Sequence, residues 1–307
     1  MRRFDKTAMT LPRRILPETT YFVFRRCTQR QFFLKPSPIV NQVFLYCLAV
    51  AAAITNVEVH AFIVMSNHWH AVLTDHDGRL PEFMEWLHKF VAKCLNVDLG
   101  RWENFWSNDR YSAIQLNDKA DVLDKITYTL ANPVNAGLVS RSRDWPGLRI
   151  TPEHFTSGPI RIKRPSIFFR PNGKMPRRTC LDISVPPAFS GMSPRQFSNL
   201  IAIELHKREK LALQKLSEKG RHIMGRKKIL AQSPNDSPSS NEQHRKLIPR
   251  VAAKNKWRRI EAVRRDKAFY NAYREAWRIF KTGDFDVVFP LGTYRLRQLA
   301  GDALDTS

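Results

Sequence analysis

Cysteine is scarce in this 307-residue sequence, and the four residues present, Cys27, Cys47, Cys94 and Cys180, form no CxxC pair. That argues against a zinc ribbon and against a disulfide-stapled scaffold, and the thiols read as reduced, in a cytoplasmic protein. Long apolar runs are missing as well. The longest, around Val43 to Ile54, falls short of the roughly 20 residues that span a bilayer and reads as a buried helix. The arginines near the N-terminus are followed by no apolar segment with a small-residue cleavage site, so nothing marks the chain for export, and no membrane partner is expected. No internal repeat is evident.

Acidic residues are in short supply: 28 stand against 51 lysines and arginines, giving a net charge of +23 and a pI near 10.3. The expected partner is a polyanion. The excess is uneven. Residues 1–150 carry 19 basic and 14 acidic side chains, net +5, which leaves 32 and 14, net +18, for residues 151–307. The second half therefore reads as an electrostatic clamp. The 43% hydrophobic content is enough for a real core and excludes a wholly disordered chain.

What is present reads as alternating strands and helices. Tyr21 to Arg26 alternates like a strand, and Pro38 to Ile54 has the apolar density of a helix packed on a sheet. Val57 to Met65, the turn residues Ser66 and Asn67, and His68 to Thr74 predict a β-hairpin. Phe83, Trp86, Leu87, Phe90, Val91 and Cys94 form the stripe of an amphipathic helix over Leu80 to Val97. Arg110 to Leu116 reads as a further strand. Asp118 to Ala131 reads as a helix capped by Asp118 and stopped by Pro133. The expected class is α+β, an antiparallel sheet with helices on one face.

Past Trp145 the character changes. Pro152 to Pro187 is rich in proline and arginine without a sustained period, which places a domain boundary near residue 155. Residues 1–155 would form the chemistry-bearing domain and residues 156–307 a basic, mainly helical extension. Within it Ser193-Pro194-Arg195-Gln196 has the form of a capping box opening a long helix towards Lys219. Ser233 to Gln243 reads as part of a flexible linker near residues 232–243, and Val251 to Phe280 as a small helical pair.

The sharpest chemical feature is His68-Trp69-His70. A strand period of two sends both imidazoles to one face and Trp69 to the other. Histidines so spaced are also ordinary polar residues of a solvated face, so the triplet needs context. Tyr128 and Asn132, four apart on a helix, set a phenol and an amide oxygen one turn from each other. Singly, Tyr128 reads as a packing aromatic and Asn132 as a residue at the end of a helix; together they offer a nucleophile and a third ligand. A cation held by His68, His70 and Asn132 would keep open positions for phosphate oxygens, with Tyr128 as the attacking group.

The segments Met65-Ser66-Asn67-His68-Trp69-His70-Ala71-Val72-Leu73 and Tyr128-Thr129-Leu130-Ala131-Asn132-Pro133-Val134-Asn135-Ala136-Gly137-Leu138-Val139 resemble those of the single-tyrosine HUH transposases, in the branch of REP-associated tyrosine transposases with an IS200-like domain. The resemblance covers roughly residues 15–150. It implies a ferredoxin-like HUH domain in which His68, His70 and Asn132 hold Mg²⁺ or Mn²⁺ and Tyr128 attacks DNA. It also implies single-stranded or hairpin DNA as partner, next to repetitive extragenic palindromes, in a bacterial, nucleoid-associated protein acting as monomer or homodimer. Two positions depart from the family: Ser66 stands where proline is usual, and Trp69 is bulkier than the customary aliphatic residue.

Arg25, Arg26 and Arg30 flank the first strand, and Arg110 and Tyr111 begin the fourth, so these arginines are candidate DNA contacts. The runs Arg161 to Arg164, Arg226-Lys227-Lys228 and Lys254 to Arg259 suit phosphate contacts or, equally, a solvated helix face. Two other readings stay open. One is a domesticated hairpin-DNA-binding protein without turnover, against which the intact His68, His70, Tyr128 and Asn132 count. The other is a replication initiator or relaxase, against which the Asn-Pro-Val after Tyr128 counts.

Overall fold

The computed structural model describes residues 12–239, 251–252 and 255–294 of the chain. They divide into two compact units, Glu18–Lys254 on the one hand and Met1–Pro17 with Asn255–Ser307 on the other. The larger unit begins with β1 (Thr19–Arg26), α1 (Pro38–Thr55), β2 (Val57–Val64), β3 (His68–Asp75), α2 (Leu80–Asp98) and β4 (Ser112–Leu116). β1 pairs with both β3 and β4, and β2 with β3, all antiparallel, in the order β2-β3-β1-β4. This is the ferredoxin-like arrangement, in which each helix carries the chain across the sheet to a non-adjacent strand. A short β7 (Val251–Ala252) runs parallel to β4 at the far edge.

Local chemistry sets the element ends. Ser37 accepts the Val40 N–H at 3.1 Å, and Pro38 opens α1. α1 ends at Asn56, whose φ of 53° is the left-handed conformation that asparagine tolerates. Asp75, at the end of β3, accepts the Arg79 and Leu80 N–H groups at 2.8 and 2.7 Å, so the strand itself anchors the start of α2. α1 is long and apolar enough to cross a membrane by length and composition, but 61% of that span is buried against the rest of the unit. It packs against α2, β2 and the hairpin of β5 (Ile160–Lys163) and β6 (Arg178–Leu181).

Helices cover both faces of the sheet, not one as the pattern alone predicts. α1 and α2 lie on the face of Trp69, whose ring centroid is 5.5 Å from Phe44 and 5.6 Å from His88. α3 (Lys119–Asn135) lies across β2 and β3 on the opposite face. The stripe on an amphipathic helix says that one side is buried but not against which side of a sheet, and strand register decides that. α3 also outruns its expected end. Pro133 lies inside it, because a proline near the C-terminus removes only one donor of the ladder and the helix needs two more residues to close. Closure comes at Gly137, with φ of 72°, where the N–H groups of Gly137 and Leu138 reach the carbonyls of Val134 and Pro133 at 2.9 Å.

The expected boundary near residue 155 matches neither limit of the compact units. α4 (Pro194–Glu218) packs along α3, and α5 (Arg226–Ala231) joins Ile63, Met65, Val134, Val139, Trp145 and Ala212 in one apolar cluster through Ile229. The Ser193 capping box expected at the start of α4 is present, with Ser193 and Gln196 exchanging side-chain to backbone bonds. Residues 233–239 depart from the flexible linker expected there. Ser233 and Asp236 close a turn on each other, and the Asp236 carbonyl accepts the Phe32 N–H at 2.9 Å. Residues 240–243 of that expectation lie outside the described residues.

In the smaller unit, α6 (Lys256–Lys281) is one 26-residue helix where a helical pair is expected, because no glycine or proline interrupts it. Asn255 caps it by accepting the Trp257 and Arg258 N–H groups. Its apolar side holds Tyr273 and Ala276 against Phe289, and Ile15 donates its N–H to Gly292 at 3.1 Å. Lys254 lies outside the described residues.

Candidate active site

His68 and His70 project from the face of β3 that α3 covers, with ring centroids 4.7 Å apart. Phe24 and Arg26 of β1 stand opposite His70 and His68 in register. Phe22 stacks on the His70 ring at 5.4 Å with an interplanar angle of 11°, and fixes its plane. Tyr128 of α3 meets the same ring edge-on, centroid to centroid 5.8 Å, and meets Phe22 at 5.9 Å. Asn132 follows one helical turn on, buried at 8% exposure. The structure thus packs His68, His70 and Tyr128 together between β3 and α3, with Asn132 one turn from Tyr128 on the same helix.

The polar atoms of that cleft are short of partners. His70 is 6% exposed, and its Nδ1 is buried without a hydrogen bond. Among the described residues the Asn132 carboxamide makes no hydrogen bond. Leaving the buried His70 Nδ1 in that state costs about 1–3 kcal/mol unless another group satisfies it. His68 is oriented: its Nδ1 lies 2.6 Å from Asn67 Oδ1, while Asn67 Nδ2 donates to the Arg30 carbonyl at 3.0 Å. Because Asn67 Oδ1 can only accept, Nδ1 of His68 carries the proton, which leaves the lone pair on Nε2.

Both imidazoles are held neutral. Burial pushes His68 down to about 4, helped by the charges of Arg26 and Arg30. Burial, then His68 and Lys125, drive His70 well below the ordinary range. A neutral ring is the form that binds metal. His60 behaves alike. Fully buried on β2, it is pushed down to about 4 by desolvation, with its Nε2 2.8 Å from Thr74 Oγ1. These folded values lie below that of an unfolded histidine, so the unfolded chain takes up more protons between about pH 6.5 and 4. The stability they carry is complete above about pH 6.5 and is lost as the pH falls through 4. Burial lowers His76 too, but Glu18 and Glu58 outweigh it and raise its value, which gives the opposite sign at a more exposed position. Urea unfolding of the metal-free protein is therefore expected to show about 3 kcal/mol less stability near pH 4 than above pH 7 from His60 alone. Equal or greater stability in acid would contradict these assignments.

Among the described residues, no group of three or more His, Cys, Asp or Glu side chains converges as a metal site. A cation at the histidine pair needs a ligand of another type, and the unpartnered carboxamide of Asn132 is of the right chemistry for Mg²⁺ or Mn²⁺.

The candidate arginines separate. Arg26 shares the histidine face and pairs with Asp109 at 3.2 Å. Arg30 sits in the turn that Asn67 clamps, with a φ of 58°. Arg110 is exposed just ahead of β4. Arg25 points to the other face, held at 3.1 Å from His88 Nδ1, bonded to the Ser107 carbonyl at 3.3 Å and lying 5.8 Å over Trp106. It braces α2 and the loop before β4 and stands apart from the cleft. Arg164 likewise ties a loop, donating to the carbonyls of Met175, Pro171 and Gly173.

Sequence reasoning passed over Phe22, Lys125, Asp124 and Arg208. Lys125 lies 5.5 Å and Arg208 5.9 Å from the Tyr128 ring centroid, and Asp124 pairs with both. Lys125 and Phe22 could have been found from helix and strand spacing. Arg208 carries no signal at all, because only the packing of α4 on α3 brings it there.

No protein-family profile matches the chain, and no curated protein does. Among solved structures, it is similar to a REP-associated tyrosine transposase bound to a REP hairpin, at 18% identity over 47% of this chain and 81% of that one, with a TM-score of 0.34. It is also similar to a protein described as a candidate transposase of Deinococcus radiodurans R1, at 18% identity over 36% of this chain and 89% of that one, with a TM-score of 0.28. At such scores the functional reading rests on the side chains of the cleft.

Proposed function

We propose that this chain is a metal-dependent single-stranded DNA endonuclease and strand transferase, a transposase that works through a 5′-phosphotyrosine link. The observation that carries the reading is the packing of the half-buried Tyr128 ring against a neutral imidazole pair, with the Asn132 carboxamide one turn further along α3. His68, His70 and Asn132 would hold the cation, Mg²⁺ or Mn²⁺. When bound, it supplies positive charge at the oxygens of the scissile phosphate.

The chain's own residues do the rest. Phe22 and the wall of β1 hold the His70 ring in plane, and Asn67 holds His68. The Tyr128 oxygen forms a bond to phosphorus as the bond from phosphorus to the 3′ oxygen of the preceding nucleotide breaks. The phenol proton ends on the released 3′-hydroxyl, so no further reagent is consumed. The phosphodiester energy stays in the tyrosyl ester, and attack by a new 3′-hydroxyl rejoins the strand. Arg26, Arg30 and Arg110 offer cations for the backbone of the strand. Hairpin-flanked targets follow from the resemblance of Met65–Leu73 and Tyr128–Val139 to the REP-associated branch.

The test is incubation of the protein with single-stranded and with duplex hairpin oligonucleotides, with and without Mn²⁺, followed by denaturing electrophoresis. Metal-dependent protein–DNA adducts on the single strand are expected, and cutting of duplex alone contradicts the reading. Asn67→Ala serves as a finer probe. With the His68 ring no longer fixed, titration calorimetry is expected to show Mn²⁺ affinity lower by about 10–100-fold. Unchanged affinity would mean that Asn67 plays no part in the metal site.

A further inference from the structure

Asp124 holds two cations at once, Lys125 Nζ at 3.2 Å and the guanidinium of Arg208 on its other oxygen. Both cations border Tyr128, and Lys125 also lies 5.7 Å from the Phe22 ring. The three side chains are only 28% (Arg208), 19% (Asp124) and 25% (Lys125) exposed. A brace between α3 and α4 needs one cation for one carboxylate. Here a second is added in a partly desolvated position, which is unfavourable unless an anion joins it. Arg208 has five N–H donors on a planar fork and cannot spend them all on Asp124.

Its place is not a matter of a loose side chain. Glu209, the next residue on α4, accepts the Ser142 N–H at 2.7 Å. Ala212 packs with Val134 and Val139, and the N–H groups of Met224 and Gly225 bond the carbonyls of Gly137 and Leu138 at 2.9 Å. The stretch that follows Arg208 is therefore clasped to the end of α3 and to the loop after it.

We infer that Arg208 and Lys125, spaced by Asp124, form a phosphate cradle beside Tyr128, and that α4 thereby completes the cleft by gripping a backbone phosphate of a single strand. Which phosphate this is, the one attacked or its neighbour, rests on the reading of Tyr128 as nucleophile. The grip itself does not.

The experiment separates the two. Binding of a fluorescein-labelled oligothymidylate is followed by anisotropy over a range of salt, in full-length Tyr128→Phe protein, where no covalent capture contributes. Adding Arg208→Ala is expected to weaken binding about tenfold and to reduce the salt slope by about 0.7, one phosphate contact on a single strand. Arg208→Lys should recover most of the affinity. Asp124→Asn should instead tighten binding several-fold, because it releases both cations while loosening the brace. An ion pair that only braces the helices predicts the opposite pattern: both Arg208→Ala and Asp124→Asn lower the melting temperature, and neither moves the salt slope. That result, or unchanged affinity in a folded Arg208→Ala protein, overturns the inference. Absence of adducts from the wild-type chain, with the Arg208 and Asp124 effects intact, would remove the nuclease reading and leave the cradle standing.

Discussion

Tyr128→Phe is expected to abolish covalent protein–DNA adducts completely while leaving fold, metal response and strand binding in place. The change removes one oxygen and keeps the ring, so the edge contacts to His70 and Phe22 at 5.8 and 5.9 Å persist. Lys125 and Arg208 keep an aromatic face at 5.5 and 5.9 Å. Tyr128 is only half-buried, and its hydroxyl makes no hydrogen bond among the described residues. The cost in stability is therefore expected to stay within about 0.5 kcal/mol. The effect on chemistry is of another order, since a phenyl ring has no atom that can bond phosphorus, and a missing nucleophile leaves nothing to form the ester. The assay is single-turnover incubation with a hairpin-flanked single strand and Mn²⁺, scored for adducts and separately for binding. Adducts that survive the substitution would transfer the nucleophile to another tyrosine. Tyr111, whose ring lies 6.1 Å from His88 on the far side of the sheet, would be the next to mutate.

Most of the larger unit could be read from the chain because its signals are local. β1 and β3 pair without a break from Thr19 to Arg26, whereas β2 is interrupted between Val59 and Ala61, and the Ser66-Asn67 turn fixes where His68 begins, so the shared face of the histidine pair was legible. Tyr128 and Asn132 were legible as one face of α3 for the same reason. What failed depends on non-local packing. Pro133 reads as a stop, yet Gly137 two residues past Asn135 supplies the real one. Arg25 reads as a neighbour of Arg26, and the sheet turns the two to opposite faces. Arg208 lies in a stretch whose sequence shows only charge, and its neighbour on α3 is 84 residues away. The turn at residues 233–239 is polar enough to predict disorder, and is held instead through backbone groups that composition does not reveal.

The second large effect concerns the histidine pair, and it separates a metal site from a merely polar patch. In wild type, Mn²⁺ at about a hundred times its dissociation constant should stabilise the larger unit by about 2.7 kcal/mol, the gain expected for an ion that binds the folded state and not the unfolded chain. For a unit of this length that is a rise in melting temperature on the order of 5–10 °C. In the doubly substituted His68→Ala, His70→Ala protein the rise should vanish, together with cleavage. The metal-free baseline should move less than a cavity in the core would imply. His70 leaves a buried Nδ1 unpaired, so its removal loses the stacking on Phe22 but also relieves an unsatisfied polar atom. These terms oppose each other, whereas replacing Trp69, which is fully buried between Phe44 and His88, carries the full loss of about 3–5 kcal/mol. A Mn²⁺ rise of the same size in the double variant would place any bound ion elsewhere. A rise retained when Asn132→Ala alone is made would instead leave the two imidazoles as ligands and strip the carboxamide of its role.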